Sequence, residues 1–576
     1  MRIKTIFATL SLLGLSIAIS PQFWWDLSNC LFIFFNPYTI LEKHFPYLRD
    51  EVLRLNSSIS RLPSWRLLLL FSTVGYLLHA LSIFLFETKL TLKERFIHTF
   101  FYCVRNAPFI KTYIKTEMDK AKILVEGSFA SVNCPRKNHA LPKNGLSRDE
   151  ILTECEAHAK MGDGNWRRGQ VSGAVYIYNP DHKQVLEDVY SKFAETNPLH
   201  PDVFPGVRKM DAEIVSMCLN MYHGFNGECG ATTSGGTESI LMAMKAYREI
   251  GYSKGIKYPE IIVAISAHSA FMKAANYFGM RAIRVKVDKN FALDVKAFEK
   301  AINSNTVVLV ASAPSYPHGI IDAVGDVAKL GLKYNVGVHV DCCLGGFLIP
   351  FMEEAGYPIP MVDFRVDGVT SISCDTHKYG YGPKGCSVIM YKDDKLRMNQ
   401  YFIDTDWSGG IYASPAIAGS RSGAVLACTW AAMMHVGREG YVERTREIIA
   451  VREETEKQVR NIPELIVYGN PTVSVLAIGS KTLDIFNIAD LLTKMGWHLN
   501  ILQFPGAFHI CFTAMHIGKN IPERFITDLK KCVEAAQDTN GSLNGAGSIY
   551  GTTMQIPDRS LVGEVTTTYL NSLYKV

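Results

Sequence analysis

Metal-binding spacing is missing from this chain: its thirteen cysteines form no CxxC pair and fall into no pattern with histidine. An odd, unpatterned set reads as reduced thiols in a domain facing the cytosol, and no metal is expected. The DCC triplet at 341–343 is too short to change that. The GxxxxGK[ST] loop that cradles nucleotide phosphates is missing as well. There are no internal repeats and no low-complexity tracts. Charge is sparse, at 20% of residues, and the excess of positive charge does not belong to the body. Through residue 125 there are 15 Lys and Arg against 8 Asp and Glu; after it there are 45 against 47. A body without a basic surplus is not expected to bind nucleic acid.

What the front of the chain has in abundance is apolar sequence. Residues 67–86, LLLLFSTVGYLLHALSIFLF, contain no formal charge over twenty positions, which is long enough to cross a bilayer as one helix. A transmembrane helix is therefore expected there. Residues 5–19 are shorter and read equally as a signal anchor, a second span or an interfacial helix. Lys89, Lys93, Arg95, Arg105 and Lys111 follow the long run and place its C-terminal side in the cytoplasm, although Arg54, Arg61 and Arg66 flank the other end. The expected organisation is a membrane-anchoring region over 1–125, an entry segment over 126–205, a large domain over 206–435 and a smaller α+β domain over 436–576.

From about residue 205 the hydrophobic period alternates between helix and strand. MDAEIVSMCLNMYHG (210–224) and GTESILMAMKAYREI (236–250) have helical spacing. EIIVAIS (260–266), AIRVKV (282–287), TVVLVAS (306–312), VGVHVD (336–341), GVTSISC (368–374) and CSVIMYK (386–392) are the short apolar runs of strands buried on both faces. The pattern predicts an α/β fold with a mostly parallel, doubly wound sheet. Ligands of such sheets bind beyond the carboxyl ends of the strands. Three chemically able residues stand at those ends: His268, Asp341 and Lys378. Each alone reads as ordinary, a strand-end histidine, a helix cap and a turn lysine. Together they point to one site.

TSGGTES (233–239) adds Gly235 and Gly236, which let the backbone approach an anion, with Ser234 and Thr237 as hydroxyl donors before a helix N-terminus. An amine for a Schiff base, a carboxylate for a pyridinium nitrogen, a planar side chain for a ring face and an anion loop are what pyridoxal 5'-phosphate requires. That cofactor is the expectation.

TSGGTES, HVDCCLGG, SCDTHKYGYGPKG and DTDWSGGIYASPAIAGSR, with NPLHPDVFPGVRKMDAEIV at 197–215, resemble the sphingosine-1-phosphate lyases. These are membrane-anchored, lipid-cleaving relatives of the group II pyridoxal-phosphate decarboxylases. The resemblance runs from about 145 to 560. It implies an aspartate-aminotransferase-like (fold type I) homodimer with shared active sites, anchored in the endoplasmic reticulum membrane by one span, two at most, with its catalytic body in the cytosol. The implied reaction is retro-aldol cleavage of a phosphorylated long-chain base to a fatty aldehyde and phosphoethanolamine; a soluble-type amino-acid decarboxylase and a membrane scaffold without catalysis are the rivals.

By the same resemblance Lys378 is the Schiff-base lysine, and His377 lies near the cofactor phosphate. Lys384 is a second lysine for substrate phosphate or proton transfer, and Tyr176 and His200 join it as catalytic residues. Asn197, His339, Gly419 and Ser420 join the cofactor set, the last two from the partner subunit. Cys342, where relatives often have alanine, and Ser422, where proline is common, depart from the family pattern without removing an essential group.

Overall fold

The computed structural model describes residues 72–79, 92–130, 139–161, 164–538 and 558–574, with a few isolated positions besides. The chain divides into two units, Met1–Cys103 and Val104–Val576, and the sheets and the site belong to the second. Of the apolar run at 67–86 only Leu69 and 72–79 are described, as helix; the rest of it, and all of 5–19, lie outside the described residues. Among the described residues no helix is long and apolar enough to cross a membrane.

The main sheet has seven strands: β1 (Cys229–Thr233), β2 (Glu260–Ala264), β3 (Arg281–Val285), β4 (Thr306–Ser312), β5 (Gly337–Cys342), β6 (Ser371–Cys374) and β7 (Ser387–Tyr391). Their order is β1-β7-β6-β5-β4-β2-β3. β2 to β6 run parallel, each expected from its apolar run, and β2, β4, β6 and β7 are buried at every position. β7 is antiparallel to both its neighbours: the connection from β6, residues 375–386, contains no helix and returns the chain alongside β6 instead of crossing over. β1, CGATT, has no long apolar run to announce it; it closes the edge beside β7.

Helices Gly236–Ser253, Ala270–Phe278 and Val324–Tyr334 are crossover helices of the sheet. A long helix, Gly423–Arg460, leads to a four-stranded antiparallel sheet of β10 (Leu465–Val467), β11 (Val475–Ser480), β13 (Ala507–Cys511) and β12 (Asn500–Leu502), in that order. Gly437, at φ 63°, breaks the helical conformation beside the expected domain boundary. Between the two sheets sits a hairpin in sequence, β8 (Phe402–Asp404) and β9 (Tyr412–Ser414).

Candidate active site

β6 ends at Cys374, and the turn after it carries Asp375, His377 and Lys378. Tyr381 N–H returns to the Lys378 carbonyl at 3.1 Å and Gly382 N–H to that of Thr376 at 3.1 Å, so the turn is fixed by its own backbone. Lys378 Nζ lies 2.7 Å from Asp375 Oδ2. Asp375 is 2% exposed, and its Oδ1 is buried with no hydrogen-bond partner. Burial disfavours the Lys378 ammonium, but the neighbouring Asp375 charge outweighs it and holds the amine above its ordinary range. Burial likewise pushes the Asp375 carboxyl up, and Lys378 and His377 together bring it below its ordinary range.

The His377 ring donates Nδ1–H to the Cys386 carbonyl at 2.6 Å, which leaves Nε2 facing Asp375 Oδ2 at 3.7 Å. Burial lowers its pKa against the opposing pull of Asp375, so it is a neutral ring at physiological pH. Lys384 donates to the His377 carbonyl at 2.9 Å, and its ammonium sits 4.5 Å above the centre of the Tyr176 ring. Burial and the charge of Lys378 lower the Lys384 pKa. Tyr176, 9% exposed, packs edge-on against Tyr379 at 4.9 Å, and burial raises its phenol. Lys378, His377, Lys384 and Tyr176 all line one cavity of about 470 Å³.

The anion loop abuts the same turn. A Cβ on Gly236 would lie 2.7 Å from both Asp375 carboxylate oxygens and 2.8 Å from Cys343 Sγ, so only glycine fits. A Cβ on Gly235 would touch the His377 ring at 3.4 Å. No side chain caps the helix that starts at Gly236, which leaves its first-turn amides as donors for an anion. Thr237 stands exposed beside them. Ser234 behaves differently from the sequence expectation: its N–H and hydroxyl both donate to Glu238 Oε2, at 2.7 and 2.5 Å. That hydroxyl is already spent within the loop.

At the end of β5, Asp341 Oδ1 accepts from Cys343 N–H at 3.0 Å and Ser373 Oγ lies 3.5 Å away. His339 is wholly buried, bonded to Ser371 Oγ at 2.8 Å and to Ser373 Oγ at 3.3 Å, and burial lowers it to about 4. It therefore stands behind Asp341 as a neutral support within the sheet. The His268 ring is exposed; Nδ1 accepts from Ala270 N–H at 3.1 Å, and Tyr316 meets it edge-on at 6.4 Å. Tyr316 was readable: it follows the end of β4 at the same distance as His268 follows β2 and Lys378 follows β6.

A second cluster gathers Asn197, Ser420 and Arg421. Asn197 Nδ2 donates to Ser420 Oγ at 3.1 Å, and its Oδ1 accepts from Arg421 N–H at 3.2 Å. Arg421 reaches Thr232 Oγ1 at 2.7 Å and Asp211 Oδ2 at 2.9 Å. Ile417 N–H donates to Glu238 Oε1 at 2.8 Å, which ties this segment to the anion loop. Gly419 approaches the Tyr412 hydroxyl, with 3.5 Å from its Cβ position. His200 is exposed in the turn after Asn197, and its ring enters none of these hydrogen bonds. Asp375, Glu238 and Arg421 belong to the site and escaped the sequence reading. A charged residue beside a motif gives no sign of its partner until the fold supplies one.

These residues suit pyridoxal phosphate: uncapped helix amides beside Gly236, which admits no side chain, a carboxylate at one strand end, an exposed imidazole at another and a lysine held by a buried carboxylate. The family model described as the pyridoxal-dependent decarboxylase conserved domain matches residues 132–477. The sphingosine-1-phosphate lyase 1 of Rattus norvegicus is 46% identical over 487 residues, 84% of this chain and 86% of the relative.

The chain belongs to the sphingosine-1-phosphate lyase family. Among solved structures, that of the sphingosine-1-phosphate lyase of Burkholderia pseudomallei is 42% identical, covers 70% of this chain and 94% of that one, and superposes with a TM-score of 0.68. The glutamate decarboxylase of Lactobacillus brevis covers 71% of this chain and 97% of that one, with a TM-score of 0.62 at 20% identity, and so shares the fold alone. The cofactor of this lyase-family chain is pyridoxal phosphate.

Proposed function

We propose that this protein cleaves phosphorylated long-chain bases such as sphingosine 1-phosphate by a retro-aldol reaction, giving a long-chain aldehyde and phosphoethanolamine. The observation that carries the reading is Lys378 paired with the buried Asp375, with Lys384 beside it over the Tyr176 ring, one amine for the cofactor and a second cation for the substrate. Pyridoxal phosphate, when bound, supplies the electron sink for the pair released as Cα–Cβ breaks. Asp341 would hold its ring nitrogen, His268 a ring face, and the amides of Gly236 and Thr237 its phosphate. Asp375 keeps the free Lys378 amine charged and in place. The Lys384 ammonium is placed to pair with the substrate phosphate, and the Tyr176 phenol stays protonated as a donor.

We further infer a homodimer and an endoplasmic reticulum anchor with the catalytic body in the cytosol. Exposed apolar side chains on and around the β8–β9 hairpin, Phe402, Ile403, Trp407 and Ile411, support a covering copy of the chain. The uncharged run at 67–86 supports a single span.

The test is to incubate purified protein with phosphorylated sphinganine and follow aldehyde together with the visible band of the bound cofactor. Aldehyde release with the band supports the lyase. Carbon dioxide from small amino acids in its place would make the protein a decarboxylase. Full turnover by folded, cofactor-loaded Lys378→Ala would remove Lys378 from its role.

A further inference from the structure

The cavity of about 470 Å³ beside Lys378 is not the place of the cofactor ring. Its lining omits Asp341, His268 and the 234–237 loop, and begins instead at Lys378, Lys384 and Tyr176. From there it continues along one face of the helix Pro180–Phe193, where Lys183, Leu186, Glu187 and Tyr190 recur at helical spacing. Lys183 and Glu187 pair with each other at 2.9 Å and remain more than half exposed, so they form a polar rim. Val175, Ile177, Leu186 and Cys428 give apolar walls. The Cys428 thiol donates to the Leu186 carbonyl at 3.2 Å, which holds the helix Gly423–Arg460 against the helix that carries Leu186. The volume falls within the ~300–1,000 Å³ of small-ligand sites, and the combination of cations at the start and apolar walls beyond suits an amphiphile with a charged head.

We propose that this cavity takes the hydrocarbon chain of the substrate and that Leu186 sets how much of the chain is held. The proposal rests on the reading of the protein as a lyase of phosphorylated long-chain bases. Alkyl surface removed from water there favours longer chains, about fourfold in kcat/KM per methylene until the slot is filled. Leu186 brings no polar or titratable side-chain group to the cavity, so its replacement changes chain selection and leaves the proton-handling groups in place.

The experiment compares holoenzyme of wild type, Leu186→Trp and Leu186→Ala on a homologous series of phosphorylated 2-amino-1,3-diol substrates from short to long chain. Circular dichroism and the cofactor band first establish that each variant is folded and loaded. The expected result is a wild-type kcat/KM that climbs with chain length and then levels. Leu186→Trp then levels at a shorter chain and loses roughly tenfold on the longest substrates, with short-chain turnover preserved. Leu186→Ala, which enlarges the slot and carries the test if the larger side chain prevents folding, levels at a longer chain than wild type. Equal effects on short and long substrates, or a wild-type rate independent of chain length, overturn the slot while leaving the lyase intact. A loaded wild type that cleaves no member of the series overturns the lyase reading, and the slot falls with it.

Discussion

Asp375 shows what a single buried carboxylate can determine. It holds Lys378 at 2.7 Å, stands within reach of His377, and presses against Gly236 with an oxygen that has no hydrogen-bond partner. Because the folded-state pKa of Asp375 is lowered, its share of stability is present above the ordinary carboxylate range and is lost as pH falls through the folded value. Because that of Lys378 is raised, its share is present below the ordinary amine range and is lost as pH rises through the folded value. The pair therefore stabilises the fold between about pH 4 and about pH 10. In Asp375→Asn the desolvation of Lys378 is no longer offset. The variant should lose about 3 kcal/mol at neutral pH in urea unfolding, and the pH at which the cofactor's visible band titrates should move down. An unmoved titration would show that the carboxylate does not set the lysine's charge.

At the scale of elements, the anion loop and the 415–423 segment are one device. Glu238 receives Ser234 on one oxygen and Ile417 N–H on the other, while Arg421 fastens the same segment to Asp211 and Thr232. Glu238→Ala should release both at once, costing about 1–3 kcal/mol and weakening pyridoxal phosphate binding in equilibrium dialysis. Gly236→Ala should be worse for the cofactor than for the fold. Its methyl meets the Asp375 oxygens and Cys343, and the overpacking costs about 1–3 kcal/mol while the loop is pushed off its position. The strands were legible from their apolar runs because burial on both faces writes itself into consecutive residues. The roles of Glu238 and Arg421 were not, because a charged side chain has no period and its partner lies far along the chain.

For the whole molecule, buried neutral histidines make acid the weak side. His339, His509 and His516 are held near 4 by burial, foremost, and the rings of His509 and His516 each accept a hydrogen bond, from Asn500 Nδ2 and Thr513 N–H, that only the neutral form can accept. Thr513 N–H donates to His516 Nδ1 at 2.8 Å, so a proton there would break that bond. A lowered histidine pKa means that the unfolded chain binds the proton first. Stability should therefore fall as pH drops from about 6.5 towards 4, by roughly 1.4 kcal/mol per pH unit for each such histidine. Urea midpoints measured at intervals through that window check this, and His516→Gln should make the decline shallower.

The sequence by itself determined the alternation of helix and strand, the residues at the strand ends and the chemistry that lysine, aspartate, histidine and a glycine pair supply together. These are properties of neighbouring residues or of residue type, and they survive without knowing where the chain goes. Only the tertiary structure decided that β7 turns back antiparallel, that the Ser234 hydroxyl is given to Glu238, that His339 supports Asp341 from within the sheet, and that Asp375 is the counter-charge of Lys378. Each of these depends on which polar groups the fold removes from water, since a desolvated charge or donor must be answered by whatever packing brings within about 3 Å.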